Sequence, residues 1–385
     1  MRFLIKYILL LSLLTAFPLS ANCKDIKIGL ITTDKSAIIG SNQNGILINS
    51  FTNNLIAKTS KHEPYKIENI NGLIKITDKS KNALGAFRGP IKLIPERQNG
   101  LVCCNNHWYR GELLLLTNGD KQNLTLVNNV DLEDYLLSVV SSEIPSNWNK
   151  EALKAQTVAA RSYSLGYLGR RIEKGYDLES TVEDQVYLGI ASEKGSATQA
   201  VKETKGIILV DKNNRPIIAL YHSSGGGYTD SIDNLWDTKP SKNISDYIKA
   251  RPDYDNNSPH FKWFRSYKIP ELNNLLSSLN LGEITNIIPL KRSVANRIMW
   301  IKVIGTKGET TIRGEEFRKL LKLPSSKFNL NTANNTVKFA GSGYGHGLGM
   351  SQWGAKALAE RGFKYDQILA HYYTGARLVK MKEVE

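Results

Sequence analysis

Glu143 stands where a helical segment has to end. Asp131-Leu-Glu-Asp-Tyr-Leu-Leu-Ser-Val-Val-Ser-Ser-Glu143 has an acidic first turn, which suits the positive end of a helix dipole. Pro145 stops it and pushes Ile144 into an extended conformation. A second helical stretch, rich in Ala, Leu and Gln, is expected from Asn149 to Leu168. A carboxyl at such an elbow, beside Val140, Ile144 and Trp148, is an acid–base candidate, because partial desolvation helps it keep its proton. The plain alternative is an exposed helix-end glutamate with no chemistry. Arg161, in Ala159-Ala-Arg-Ser-Tyr163, lies on the apolar-patterned second helix, where a guanidinium needs an anion. That anion is either a carboxylate of the protein or a bound one.

Two further stretches bring polar groups together. Tyr221-His-Ser-Ser-Gly-Gly-Gly-Tyr-Thr229 leaves a strand for a glycine loop. Its His222, Ser223, Ser224, Gly225 and Gly226 offer an imidazole, hydroxyls and backbone amides suited to sugar hydroxyls and N-acetyl groups. Gly341-Ser-Gly-Tyr-Gly-His-Gly-Leu-Gly349 sets glycine at alternate positions around His346. That spacing contains neither G-x-G-x-x-G nor G-K-[ST], so a nucleotide loop is excluded. It reads as backbone opened for the close passage of a long ligand, or as a turn ladder around a packed histidine. G-x-S-x-G and H-E-x-x-H are absent, which argues against an α/β-hydrolase or a zincin. His62 and His107 are isolated and read as packing or surface residues.

The elements that must hold these groups are mostly strands. Residues 24–106 read as short strands with turn punctuation, and 109–130 continue as β through a hairpin at Asn118-Gly119-Asp120. After the two helices come strands at 207–210 and 217–222, a loop-rich stretch to Tyr267, and a helix over 271–281. Strands at 284–292 and 298–304, a helix at 314–321 and a last helix through Glu360 complete the chain. The expected fold class is α+β: β-rich, with a helical hairpin carrying Glu143, preceded by a small β-rich N-terminal region. The expected boundaries are a signal peptide over 1–21, the β-rich region over 22–107 and a catalytic domain over 108–385.

Composition narrows the class further. The chain has 385 residues, 41% of them hydrophobic, which excludes a disordered protein. Its net charge is +15, but 35 Lys against 16 Arg with no dense basic run describes a solvated surface, not a nucleic-acid interface. Arg2 and Lys6 precede an apolar run, Ile8 to Phe17, and a small-residue exit, Pro18-Leu-Ser-Ala21. This is a signal-peptide pattern, too short to span a bilayer, so the mature chain is expected in the periplasm or cell envelope without a transmembrane anchor. Leu19-Ser-Ala is separated from Cys23 by Asn22, a departure from a lipoprotein cleavage box. An oxidising compartment permits one bridge, from Cys23 to Cys103 or Cys104. No cysteine follows, which leaves no thiolate cage or cysteine nucleophile in the C-terminal two-thirds.

Taken in order, the motifs form a recognisable set. Tyr109-Arg-Gly-Glu-Leu, Leu132-Glu-Asp-Tyr-Leu, Ser142-Glu-Ile-Pro, Glu151-Ala-Leu-Lys-Ala-Gln, Ala160-Arg-Ser-Tyr and Asp184-Gln-Val-Tyr come first. Ser224-Gly-Gly, Ile312-Arg-Gly-Glu-Glu-Phe-Arg, Gly345-His-Gly-Leu-Gly-Met-Ser-Gln-Trp-Gly-Ala and His371-Tyr-Tyr-Thr-Gly-Ala follow. From residue 108 onward the chain resembles the stage II sporulation protein D family (SpoIID/LytB).

The resemblance implies a lytic transglycosylase acting on peptidoglycan glycan strands, with a preference for strands stripped of stem peptides. The family's catalytic glutamate falls on Glu143, and its other motif residues on Arg161, Gln185, Tyr187 and His346. Gly347 and Gln352, from the same run as His346, join the expected substrate-binding set with the 222–226 loop. Some members carry a zinc site of His and Cys just before Q-V-Y. Here Lys174 to Asp184 contains neither residue, so no metal is expected, and no cofactor. Glu143 would protonate the leaving oxygen of the MurNAc–GlcNAc bond and then take the proton of the muramic 6-hydroxyl, giving a 1,6-anhydro end. Arg161 would meet the lactyl carboxylate of stripped muramic acid. The alternative is a non-catalytic glycan-binding activator of a cell-wall N-acetylmuramoyl-L-alanine amidase, which makes that amidase a second expected partner.

Overall fold

The computed structural model describes residues 24–31, 34–117, 119, 121–236, 239, 241 and 243–381. The segment expected to be a signal peptide, and Cys23, lie outside them. Alternation dictates the first layers: in Asp25–Ile31 the inward Ile26 and Ile28 are buried while Asp25 and Lys27 face out. One sheet of seven strands and one of six are built almost wholly from residues before 132. Their inner faces contribute Ile28, Ile39, Leu47, Ile67, Leu93 and Leu115 to one apolar core.

Strand pairing continues across residue 107. The hairpin of Leu101–Cys104 with His107–Arg110 straddles it, and Glu112–Leu116 and Thr125–Asp131 are inner strands of the larger sheet. The β layer therefore runs to Asp131, which ends a strand and caps the first helix. Its side chain accepts from Glu133 N at 2.9 Å and Asp134 N at 3.3 Å. The layer also borders later segments, since Leu178–Glu179 adds in parallel to the edge of Asp25–Ile31.

Helix α1 (Leu132–Glu143) ends as expected, with Ile144 extended at φ −137°, ψ 151° ahead of Pro145. Helix α2 (Lys150–Gly166) starts at Asn149, whose side chain accepts from Glu151 N at 2.9 Å. Arg161 joins the two. Its Nε and Nη2 reach Glu133 Oε1 and Oε2 at 2.8 and 2.7 Å, and Nη1 donates to Ile207 O at 3.0 Å. Glu133 also accepts from Gly206 N at 3.1 Å, which ties in the strand Ile207–Val210. Arg161 is 0% exposed, so the substrate contact expected for it is replaced by an internal ion pair.

A smaller lobe, with its own core of Trp263, Leu272, Ile301, Phe317, Phe328 and Phe339, occupies the chain between the glycine loop and the glycine run. Two three-stranded sheets and the helices Ile269–Leu275 and Gly314–Leu320 build it. The helix expected over 271–281 is shorter and closes in a 3₁₀ turn at Ser277–Leu279. The chain then returns to the main core, where Met350–Ser351 pairs in parallel with Tyr221–His222. Helix Gln352–Glu360 follows.

Removing one partner of a buried ion pair costs about 3–5 kcal/mol, because the other charge is left uncompensated. Arg161→Ala is therefore expected to lower the unfolding free energy by about that amount in urea titration. The paired replacement Arg161→Met with Glu133→Leu should recover most of the loss. A single mutant within about 1 kcal/mol of wild type would contradict this assignment.

Candidate functional site

Glu143 is the last residue of α1, and its carboxyl meets groups from chain segments far apart in sequence. Oε1 accepts from Val186 N–H at 3.0 Å, and the Gln352 and Tyr221 side chains lie near enough to lower its pKa. All three groups are neutral. Burial pushes the carboxyl above its ordinary value, and the three groups oppose that shift without cancelling it. The exposed helix-end alternative does not hold, since Glu143 is half-buried and its Oε1 is hydrogen-bonded.

Each of these groups is positioned by a separate device. Val186 lies between Gln185 and Tyr187, whose side chains both turn into the core. Tyr187 donates to Asn128 Oδ1 at 2.8 Å and packs against the Tyr109 and Tyr135 rings. Just upstream, Asp184 is held by Arg170 at 2.7 Å and Arg171 at 2.9 Å. Tyr221 is set by Gln185, whose Nε2 donates to the Tyr221 hydroxyl oxygen at 3.0 Å. Gln352 opens a helix capped by Ser351, whose Oγ accepts from Gly354 N at 3.1 Å. Beside Gln352, Trp353 meets Trp148 edge-on at 5.0 Å, and both indoles are half-buried.

Residues 120–210, which hold Glu143 and the three segments next to it in sequence, match the SpoIID family (Stage II sporulation protein). Residues 209–349 match a domain of unknown function (DUF8618). The chain is 32% identical to stage II sporulation protein D of Bacillus subtilis (strain 168) over 273 residues, 66% of this chain and 75% of that protein. It is 31% identical to an uncharacterised protein of Brachyspira hyodysenteriae over 310 residues, 79% of this chain and 80% of the other. The chain belongs to the SpoIID family. It also resembles the amidase enhancer of Bacillus subtilis, 30% identical over 296 residues, which is 63% of this chain and 40% of that longer protein.

Within this SpoIID chain, most of the expected sugar-binding groups are spoken for. Gly226 N and Gly227 N donate to Asp255 at 2.7 and 2.8 Å, Ser224 Oγ bonds the same carboxylate, and Gly225 N donates to Asp253 at 3.1 Å. The glycine loop is a nest for the protein's own aspartates, not a set of free amides. Ser223 is half-buried, and its carbonyl accepts from Trp353 N at 3.1 Å. His222 is buried and turned inward, with Nδ1 donating to Leu348 O at 3.1 Å, and burial pushes its pKa well down.

The glycine run is resolved in favour of the packed histidine. Gly343, Gly345, Gly347 and Gly349 all have positive φ, from 68° to 99°. A Cβ at Gly347 would lie 2.2 Å from Arg297 Nε, and one at Gly349 would lie 1.9 Å from Leu220 O. The openings are filled by the chain itself. His346 uses both ring nitrogens: Leu348 N–H donates to Nδ1 at 3.0 Å, so Nε2 carries the proton given to Tyr221 O at 3.0 Å. Burial holds this neutral form by pushing the pKa down to about 4.

Of the expected residues, Gln352 lies beside Glu143, while Gln185 and His346 both bond Tyr221. Arg161, Tyr187, His222, Ser224, Gly225, Gly226 and Gly347 hold the architecture instead. Tyr221 and the Val186 amide were not expected. Tyr221 opens the glycine-loop motif, yet a tyrosine ending an apolar strand reads as packing. Among the described residues no group of three His, Cys, Asp or Glu side chains is arranged to hold a metal. A cavity of about 710 Å³, lined in part by Tyr167, Trp236 and Glu315, lies off the Glu143 cluster, with the Trp236 ring 6.2 Å from His346.

The raised carboxyl has a signature in stability. A carboxyl whose folded pKa exceeds its unfolded one contributes stability at low pH that is lost as pH rises through the folded value. Glu143→Gln removes that loss. Its melting temperature is expected to exceed that of wild type at pH 7.5, with the gap closing near pH 4, below the ordinary carboxyl range of about 4.3. A gap independent of pH, in paired calorimetric scans, would contradict the raised carboxyl.

Proposed function

We propose that this chain is an exported lytic transglycosylase that cleaves the MurNAc–GlcNAc bond of peptidoglycan glycan strands, with Glu143 as both acid and base. The observation that carries the reading is the carboxyl itself: half-buried, pushed up by burial, and bonded by the neutral Val186 amide. Two-carboxylate glycosidases need a second carboxyl about 5–9.5 Å away as nucleophile or base. Asp184, next to the segment that contacts Glu143, is committed to Arg170 and Arg171. A mechanism in which the substrate supplies the nucleophile needs only one carboxyl.

In that mechanism Glu143 gives its proton to the leaving GlcNAc oxygen as the bond to the muramic anomeric carbon breaks. The muramic 6-hydroxyl oxygen bonds to that carbon, and its proton passes to the Glu143 carboxylate. The acid is regenerated, the product ends in 1,6-anhydroMurNAc, and no water is consumed. No cofactor or metal takes part. With Arg161 buried against Glu133, a preference for peptide-free strands rests on the family resemblance alone.

The Arg2-to-Ala21 pattern supports export to the periplasm or cell envelope. No helix among the described residues is long and apolar enough to cross a membrane. The likeness to the amidase enhancer favours a second reading, in which the chain binds glycan and stimulates a cell-wall amidase. That role needs no acid.

General acid–base catalysis contributes about 10²–10⁴-fold, so Glu143→Gln should lose at least about a hundredfold in strand cleavage. Mass spectrometry of digested glycan strands, scoring anhydro ends, reads this directly. Cleavage persisting within tenfold of wild type would favour the amidase-activator reading. Chelation with EDTA is expected to leave cleavage and melting temperature unchanged, because the stretch from Lys174 to Asp184 has no His or Cys. Stoichiometric zinc in elemental analysis of the purified protein would contradict that expectation.

A further inference from the structure

Two indoles stand at the elbow that carries Glu143, with a cation beside them. Glu143 ends α1, and Trp148 closes the turn that follows, its N–H donating to Pro145 O at 3.1 Å. Asn149 then caps α2 and reaches the helix Gln352–Glu360, where its Nδ2 donates to Ala359 O at 3.3 Å. Trp353 enters from the first turn of that helix, with its N–H on Ser223 O at 3.1 Å. These anchors bring the two rings together edge-on, 5.0 Å apart. One turn further along the helix, Lys356 holds its ammonium over both rings, 5.3 Å from the Trp353 centroid and 5.9 Å from that of Trp148. All three side chains keep part of their surface in solvent. The carboxylate paired with Lys356, on Glu360 at 2.6 Å, is 48% exposed, and a surface pair of this kind contributes little and exchanges readily for another carboxylate.

We propose that Trp148, Trp353 and Lys356 form a saccharide subsite at the Glu143 elbow that takes muramic acid, the indoles covering the C–H face of the sugar ring and Lys356 pairing with the lactyl carboxylate. This rests on the reading of the chain as one that acts on glycan strands. A pyranose ring has an apolar face of C–H groups, which a flat indole covers without any hydrogen bond. Stacking alone accepts any hexose, so the selection falls to the cation. In muramic acid stripped of its stem peptide the lactyl group ends in a carboxylate. With the peptide in place the same carbon is an amide without charge, and Lys356 gains nothing from it. The subsite thus supplies the preference for peptide-free strands that Arg161, locked on Glu133, does not supply.

The test is a binding measurement that needs no cleavage. Isothermal titration calorimetry on the full chain carrying Glu143→Gln keeps the ligand intact. The two probes are a peptide-free GlcNAc–MurNAc tetrasaccharide and the same sugar with its lactyl carboxylates converted to methyl amides. The carboxylate probe is expected to bind about tenfold more tightly than the amide, and adding Lys356→Met should abolish that difference. Glu360→Gln, which removes the competing carboxylate, should tighten the carboxylate probe and leave the amide unchanged. Trp148→Ala and Trp353→Ala should each weaken both probes alike, by about tenfold. Equal affinity for the two probes, a Lys356→Met loss that is the same on both, or unchanged binding in the folded tryptophan variants overturns the proposal. The expected binding pattern in a protein whose wild type yields no anhydro ends overturns the lytic reading and leaves the subsite standing. If the tryptophan variants fail to fold, the Lys356→Met comparison decides, and a probe difference that survives it overturns the proposal.

Discussion

The ion pair of buried Arg161 with half-buried Glu133 sets the geometry on which the site depends. Glu133 lies in the first turn of α1 and Arg161 in the middle of α2, so their bidentate contact fixes one helix against the other. Glu133 also takes the Gly206 amide, and Arg161 gives a proton to the Ile207 carbonyl, which locks a strand end to both helices. The far end of α1 then has no freedom, and that end is Glu143. A charge pair near the start of the helix thus decides where a carboxyl sits at its finish.

The N-terminal β layer is part of the same arrangement and not a detached leader. Its edge strand takes on Leu178–Glu179, and Asn128 from an inner strand receives the Tyr187 hydroxyl. Val186 lies between those anchors, and its amide donates to Glu143. The smaller lobe acts from the other side. Arg297 from that lobe donates to the Gly345 carbonyl at 3.1 Å and fills the space over Gly347, which shapes the run that carries His346. His346 in turn holds the backbone of Tyr221. Glu143 is the place where these separate supports converge.

Much of this was legible from residue patterns, because the signals involved are local. Alternation marked the strands, Asp131 and Pro145 bracketed α1, and the motif set singled out Glu143 as the candidate acid. What stayed hidden depended on partners distant in sequence. Arg161 announced only that it needed an anion, and nothing nearby in sequence distinguished Glu133 from a bound carboxylate. The amide of Gly226 looked free because Asp255, 29 positions away, gives no local sign of folding back over it. The alternate glycines signalled close approach correctly, but the approaching atoms are Arg297 and the Leu220 carbonyl, not a ligand. Tyr221 was passed over for the same reason: the partner of its hydroxyl, Gln185, is remote along the chain.

The central claim is that one carboxyl cleaves a glycosidic bond with the substrate's own hydroxyl as nucleophile. Digestion of purified glycan strands in heavy-oxygen water tests it most directly. The account predicts muropeptide or sugar ends lighter by one water than hydrolysed ends, with no heavy oxygen incorporated. Reducing ends carrying heavy oxygen at the anomeric position would contradict it, because water and not the 6-hydroxyl would then have attacked.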